Sequence, residues 1–248
     1  MAFLDPVLNP VLAVGPFWAI FIISLVISLI IIVVYKFFTN QAEMKRLKEE
    51  QKEFQKRMKE LRDKPEEMMK IQKEAMKKNF EYMKHSFKAT FITILPIILL
   101  FGWMNAHLAF EPIFPGETYS MTAVFKEGIT GEVELIADEG TELSSPATQP
   151  VANMVTWNLK STAGEHSLTV KSGNTQQSKN VLVTNELKYE EPFSLYKHSD
   201  IEQININYNK MHPLGEVEFF GWRPGWLSLY IILSIVFSLG LRKIFKVY

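Results

Sequence analysis

Two long uncharged runs flank a highly charged segment, and this arrangement constrains the fold more than any other feature. Val11 to Tyr35 carries no charge, and Ala89 to Phe110 contains only His107, taken as neutral. About 20 apolar residues cross the hydrocarbon core of a bilayer, so both runs are predicted to be transmembrane helices. A third run, Trp226 to Leu241, is about 24 Å long as a helix, and a span this short thins the bilayer or uses its flanks. The sequence therefore predicts an α-helical membrane protein with three spans.

The sign of the charge alternates along the chain, and this orients the predicted spans. Lys36 to Lys88 contains 16 Lys and Arg against 10 Asp and Glu, whereas Glu111 to Gly225 contains 8 against 16. The tail is again basic through Arg242, Lys243 and Lys246. Positive segments beside spans stay on the cytoplasmic side. We therefore expect a multi-pass protein of the cell (plasma) membrane with its N-terminus outside and its C-terminus in the cytoplasm.

The composition also bears on chemistry. The chain has no cysteine, which excludes disulfides, thiolate metal sites and thiol nucleophiles. The first apolar run lacks a preceding basic region and is too long for a signal peptide, so it is interpreted as an uncleaved anchor. No hydrolase, zinc or phosphate-loop motif occurs, and the spans contain no Asp or Glu. We expect a protein that is not an enzyme, with no cofactor, no metal and no sequence-specific nucleic-acid binding.

The charged segment has the apolar spacing of two paired helices. Met44, Leu47, Gln51, Phe54, Met58 and Leu61 alternate steps of three and four residues, as a coiled-coil seam does. After a break at Pro65, a second seam is predicted at Met69, Lys73, Met76, Phe80, Met83 and Phe87. This pattern predicts a cytoplasmic antiparallel coiled-coil hairpin whose helices continue the first and second spans.

Methionine is concentrated in this hairpin, where six of the eleven occur. Methionine side chains are flexible and polarizable and suit surfaces that accept varied apolar partners. The candidate substrate contacts are Met44, Met58, Met68, Met69, Met76, Met83, Phe54 and Phe80. The alternative is a solvated hairpin that only holds the two spans together, with methionine serving as a good helix former.

The region between the second and third spans has the alternating sequence pattern of a β domain. Short alternating runs predict strands at 119–125, 132–137, 151–159, 166–170, 180–184, 203–208 and 216–220. Seven strands in this length suit an extracytoplasmic all-β sandwich, and the run from Ala163 to Val183 resembles the late hairpin of immunoglobulin-like domains. This domain is interpreted either as a partner-binding module or as a shield for the outer side.

Each span carries small hydroxyl residues on one helix face, in the half nearest the cytoplasm. The pairs are Ser24 with Ser28, Thr90 with Thr93, and Ser234 with Ser238. Three such faces at one depth would line a polar groove open to the cytoplasm. The alternative is that serine and threonine only allow close helix packing.

The order of these parts resembles the YidC/Oxa/Get superfamily of membrane-protein insertases. It is most similar to archaeal YidC-like proteins and to the third subunit of the eukaryotic ER membrane protein complex. The resemblance covers residues 5–110 and 222–246, including a mid-helix Pro96 in the second span, and leaves out the β domain. It implies a hydrophilic groove in a thinned membrane and a hairpin that captures substrates. Bacterial members carry an arginine in the groove, for which Lys36 is the nearest substitute here.

The predicted function is therefore a membrane-protein insertase or chaperone. The hairpin would receive nascent apolar segments, and a groove of Ser24, Ser28, Thr90, Thr93, Ser234, Ser238 and Lys36 would pass them into the lipid bilayer. Nascent membrane proteins are the implied partners, with the ribosome and the Sec translocon as further candidates. An ion channel or transporter, and a surface receptor or scaffold acting through the β domain, are the alternatives.

The predicted division of the chain has five parts. They are the outer segment with the first span (1–35), the coiled-coil hairpin (36–88), the second span (89–110), the β-sandwich domain (111–221) and the third span with a cytoplasmic tail (222–248).

Overall fold

The computed structural model describes residues 3–247, including all side chains except those of His85 and Lys88. These residues form two compact units. One is helical and consists of the chain up to Gly102 together with the chain from Leu227 onward. The other runs from Trp103 to Trp226 and contains every described strand.

Five helices make up most of the first unit. They are α1 (Asp5–Leu12), α2 (Pro16–Phe38), α3 (Gln41–Glu60), α4 (Pro65–Leu108) and α5 (Trp226–Phe245). Within residues 3–247, three segments are long and apolar enough to cross a membrane: Pro16–Phe38, Ala89–Leu108 and Trp226–Phe245. Since α5 has 20 residues, it is about 30 Å long and matches an ordinary hydrocarbon core. The uncharged part of α5, from Trp226 to Leu241, is about 24 Å long, which is the length predicted from the sequence.

The N-terminal segment is helical, although it contains Pro6 and Pro10. Pro6 lies in the first turn of α1, where a missing N–H breaks no helical hydrogen bond. Gly15, with φ 94°, separates α1 from α2 in a conformation that an L side chain rarely adopts. The prolines therefore start and bend this segment rather than prevent its folding.

The two helices of the charged segment join their spans differently. Thr39 and Asn40 adopt extended conformations and so interrupt the helix between α2 and α3. The Asn40 side chain caps α3 by accepting a hydrogen bond from Glu43 N at 3.2 Å. The predicted continuity of the first helix with its span is therefore wrong. In contrast, α4 begins at Pro65, where a break was predicted, and continues for 44 residues through Pro96 into the second span.

The second unit is a β-sandwich-like pair of antiparallel sheets. Its strands are β1 (Thr118–Phe125), β2 (Glu132–Ile136), β3 (Thr141–Leu143), β4 (Thr148–Pro150), β5 (Met154–Ser161), β6 (Gly164–Ser172), β7 (Thr175–Val183), β8 (Phe193–Leu195) and β9 (Ile201–Ile206). One sheet has the order β3-β5-β1-β9-β8 and the other β4-β2-β6-β7. Alternate residues of both sheets face one apolar core that contains the fully buried Trp157.

Six of the seven predicted strands correspond to observed strands, with shifted ends. The seventh, at 216–220, is wrong, because this stretch has no strand of its own and instead enters a tight turn at Phe220. The sequence also missed β3, β4 and β8, which have three residues each and are too short to show an alternating pattern. The pairing of β6 with β7 runs in register from Gly164 opposite Val183 to Ser172 opposite Thr175.

Candidate functional site

A cavity of about 550 Å³ lies between α2 and α5. Apolar side chains line most of it, and the polar groups on its wall are Ser28 from α2 and Tyr230, Ser234, Ser238 and Arg242 from α5. The four α5 residues recur every four positions and therefore share one helix face. The helical repeat thus turns four dispersed residues into a continuous polar stripe.

Ser24 lies one turn from Ser28 on the same face of α2. It is fully buried, and its Oγ makes no hydrogen bond within residues 3–247. A buried hydroxyl without a partner costs about 1–3 kcal/mol. Among the described residues Ser24 is not part of the cavity lining, so of the predicted pair only Ser28 faces the cavity.

The third predicted hydroxyl pair, on α4, is engaged elsewhere. The Thr90 hydroxyl donates to Ser86 O at 3.1 Å and accepts from the Tyr35 hydroxyl at 2.8 Å. Thr93 is buried, and its hydroxyl lies 3.0 Å from Thr90 O and 3.2 Å from Ala89 O on its own helix. Among the described residues, the cavity lining includes neither threonine. The hydroxyl faces of α2 and α5 meet, whereas α4 is linked to α2 through Tyr35.

Arg242 and Tyr230 are the polar cavity residues that sequence reasoning missed, and Arg242 is the cation among them. Its guanidinium lies over the Tyr35 ring, 5.6 Å from the centroid. Lys36, the cation expected to serve the groove, is exposed and has its ammonium 5.8 Å from the centre of the Phe245 ring. Within the described chain, Lys36 is not part of the lining. The signal in the sequence was the spacing, because Arg242 follows Ser238 by one more helical turn.

The charged segment pairs α3 with the first half of α4. Gln51 Nε2 donates to Asn79 Oδ1 at 3.1 Å, and the Lys78 ammonium lies 3.5 Å from a carboxylate oxygen of Glu50. The hydrogen bond from Lys78 to Glu81 raises the pKa of the Lys78 ammonium, and Glu50 adds to the increase. Met44 on α3 is fully buried. These contacts join residues far apart in the chain and hold the two helices side by side.

The face of α4 toward α3 differs from the predicted seam. Its partly buried residues there are Met68, Ile71, Ala75, Lys78 and Tyr82, one stripe away from the expected one. Residues of the expected seam are exposed instead: Met69, Lys73, Met76, Phe80, Met83 and Phe87. The observed stripe contains the small Ala75, whereas the predicted one has the bulky Met76 at the neighbouring position. Among the other candidate contacts, Phe54 and Met58 on α3 are half-buried.

The exposed seam residues form an apolar stripe along α4, which we call the α4 stripe: Met69, Met76, Phe80, Met83, Phe87 and Phe91. Met76 and Phe80 are 66% and 69% exposed, so α3 leaves them free for other contacts. Phe91 belongs to the membrane-length segment Ala89–Leu108. The α4 stripe is interrupted once, by the exposed Lys73, and from Met76 onward it runs into the second span.

Residues 2–135 match the family model described as integral membrane protein EMC3/TMCO1-like. The match extends through α1 to α4 and into the first strands of the β unit, and it covers more than half of the chain. No curated protein and no solved structure matches the chain. Among the described residues, no cluster of three or more metal-ligating side chains is present.

Proposed function

Because the chain belongs to the EMC3/TMCO1-like family, within the YidC/Oxa1/Get1 insertase superfamily, we propose that it inserts nascent membrane proteins into the bilayer. The α4 stripe receives an apolar segment, and the cavity between α2 and α5 accepts the short polar flank of that segment. The protein needs no cofactor for this role and performs no covalent chemistry.

The observation that carries the proposal is the polar stripe of Ser234, Ser238 and Arg242 facing Ser28 across a cavity between two membrane-length helices. A polar group without a partner in hydrocarbon costs several kcal/mol. Each hydrogen bond to a hydroxyl or to retained water recovers about 1 kcal/mol net. Several such contacts along one path lower the barrier to moving a short hydrophilic segment through the membrane.

Arg242 adds a cationic side chain to the wall of the cavity. The Arg242 guanidinium, which lies over the Tyr35 ring, has donors for carboxylates and main-chain carbonyls. It therefore favours substrate flanks that are neutral or acidic over basic ones. In this chain Arg242, rather than Lys36, takes the role of the groove cation.

The α4 stripe supplies the first contact. Methionine and phenylalanine side chains spaced along one helix face bind the apolar face of another helix. Because α4 is one continuous helix into the second span, a segment bound at Met76 can move along Met83 and Phe87 toward the lipid. The ribosome and the Sec translocon are the proposed upstream partners.

The topology belongs to the same proposal. The basic segment between α2 and the second span lies in the cytoplasm, as does the C-terminal end of α5, in the plasma membrane. The paired helices form a coiled-coil hairpin, which the contacts of Gln51 with Asn79 and of Lys78 with Glu50 support. The β unit is extracytoplasmic and immunoglobulin-like in this proposal. The long β6–β7 hairpin supports the immunoglobulin-like fold.

Site-specific photocrosslinking tests the proposal. Crosslinkers at Ser28 and Met76 are expected to label a nascent membrane protein, whereas exposed controls at Ile30 and Lys77 label it weakly. Arg242→Gln should lower labelling from Ser28 for acidic flanks more than for basic flanks, by about tenfold if one charged contact is lost. Equal labelling at site and control positions would contradict the proposal.

The alternatives make different predictions in the same reconstituted protein. A channel or transporter would conduct ions in liposomes without any nascent chain. A receptor or scaffold would lose its activity when residues 113–220 are replaced by a short linker. Insertion by the helical unit should survive that replacement, because no residue lining the cavity comes from the β unit.

A further inference from the structure

A tight aromatic hairpin immediately precedes α5. Phe219 N donates to Trp222 O at 2.9 Å, and Trp222 N donates to Phe219 O at 3.0 Å. The two residues between them, Phe220 and Gly221, have φ angles of 52° and 78°. Positive φ at both central positions is the signature of a two-residue type I′ turn. We call Phe219–Trp222 the aromatic turn.

Phe220 is an unusual residue for its place in the aromatic turn. The first central position of a type I′ turn favours Asn, Asp or Gly, because a bulky side chain at positive φ is strained. Phe220 nevertheless occupies it, and its side chain is fully exposed. The strain is therefore not offset by packing within the described chain. Such outliers indicate a role that depends on something outside the chain.

The residues around Phe220 extend its apolar character. Phe219 and Trp222 are each about half exposed, and the aromatic turn carries no charge. At its base the Arg223 guanidinium pairs with Glu216 at 3.0 Å and with Glu218 at 2.6 Å. The turn thus has an apolar tip, and ion pairs partly neutralise the charges behind it.

The position of the aromatic turn in the chain fixes what it can contact. Trp222 precedes Trp226, the first residue of α5, by four residues, which span about 14 Å at most. Because α5 is a membrane-length helix, its first residue lies at a membrane surface. The headgroup region is roughly 5–8 Å thick on each side of the hydrocarbon core. The aromatic turn is therefore within reach of lipid by covalent connection alone.

We propose that the aromatic turn inserts Phe220 into the boundary between headgroups and acyl chains, in the leaflet where α5 begins. Tryptophan and phenylalanine are favoured at this depth, where one end of a side chain is apolar and the surroundings are partly hydrated. The partner is a phospholipid surface. This anchoring role is additional to insertion and does not depend on which side of the membrane the β unit occupies.

The absence of native cysteine allows a direct test in the full-length protein. Phe220→Cys and Asn174→Cys are each labelled with an environment-sensitive fluorophore and reconstituted in phosphatidylcholine and phosphatidylglycerol vesicles. Asn174 is a suitable control because it is exposed in the two-residue turn between β6 and β7. A nitroxide near the top of the lipid acyl chain should quench the label at position 220 about threefold more strongly than at 174. Aqueous iodide should show the reverse preference.

A second arrangement moves the label away from position 220, so that the side chain there can be varied. A label at the exposed Val217, introduced by Val217→Cys, should lose its lipid quenching in Phe220→Asp and retain it in Phe220→Trp. Phe193→Asp, at an exposed aromatic residue of β8, should leave the quenching unchanged. Equal lipid quenching at 220 and 174 would overturn the proposal. So would shielding of position 220 from both quenchers, which would show that protein rather than lipid covers it.

Discussion

Two buried serines, Ser161 in the β unit and Ser24 in the helical unit, differ in whether their hydroxyls are hydrogen-bonded. In the β unit, the Ser161 hydroxyl pairs with Tyr119 at 2.7 Å and with Thr141 at 2.9 Å. Thr141 donates in turn to Asp138, so one connected network stands beside the apolar core. In the helical unit, Ser24 is buried and its hydroxyl has no partner within residues 3–247.

Their apolar surfaces differ as well. The β unit encloses large side chains such as Trp157 and Leu159, whereas α2, α4 and α5 expose Val26, Phe91 and Val236. The difference indicates that the β unit has its own enclosed apolar core, of the kind that folds in water. The helical unit requires lipid around it and keeps polar capacity unused inside. The first arrangement favours stability, and the second is the one on which the proposed insertion function depends.

The largest expected effect is on the β core. Trp157→Ala removes a fully buried indole and its hydrogen bond to Ala147 O at 3.0 Å. It should cost about 3–5 kcal/mol of unfolding free energy in the β unit. Hydrogen exchange of the strand amides measures this loss. Trp18→Ala, at an exposed position on α2, should leave strand exchange unchanged, and equal effects of the two variants would contradict the comparison.

The polar network of the β unit should give a smaller, pH-dependent effect. Burial opposes ionisation of Asp138, but hydrogen bonds from Ser167 N, His166 and Thr141 prevail and lower the pKa of its carboxyl group. A lowered folded-state pKa stabilises the fold above the unfolded value of about 4 and loses that contribution as pH falls through the folded value. Asp138→Asn should cost about 1–3 kcal/mol at neutral pH.

Denaturation at neutral and acid pH checks this prediction. The Asp138→Asn variant should lose less stability on acidification than the parent, since its side chain has no proton to bind. Glu139→Gln, at an exposed neighbour, is the control and should retain the acid dependence of the parent. If Asp138→Asn lost as much stability on acidification as the parent, other carboxylates would be responsible for the loss of stability at acid pH.

The smallest effect should distinguish a paired hydroxyl from an unpaired one. Ser161→Ala breaks two hydrogen bonds and should destabilise the β unit by about 1 kcal/mol. Ser24→Ala removes a hydroxyl without a partner, so the helical unit should change by less than about 1 kcal/mol or become more stable. Thermal unfolding in detergent measures both. A larger loss for Ser24→Ala would reveal a polar partner for Ser24.

Sequence predicted the elements whose signal is long and periodic. The uncharged runs predicted the membrane-length parts of α2, α4 and α5, and alternation predicted six of the long strands. The region 216–220 also alternates, but its outcome depends on Phe220 adopting a positive φ, which no pattern of hydrophobicity encodes. Three-residue strands such as β8 exist only because β9 pairs with them.

The candidate site could be predicted in part, for the same reason. Spacing along one helix placed Ser234 with Ser238, and it would have included Arg242 had the repeat been extended by one turn. Choosing between two adjacent stripes of α4 requires knowing how closely α3 approaches, and the sequence offers bulky Met76 and small Ala75 equally. The packing between helices decides which hydroxyl-bearing faces come together. The residue pattern of one helix carries no information about that packing.

The different joints of α3 and α4 have a mechanical consequence. Thr39 and Asn40 are not helical, so the main-chain hydrogen-bond ladder of α2 does not continue into α3. The long helix α4 has no such joint between the charged region and the bilayer, and a load on Met76 is transmitted as torque to Pro96. Since proline removes one main-chain hydrogen bond there, the helix bends at that point first. A force on the exposed α4 stripe would therefore bend α4 at Pro96, within the segment Ala89–Leu108 that is long and apolar enough to cross a membrane.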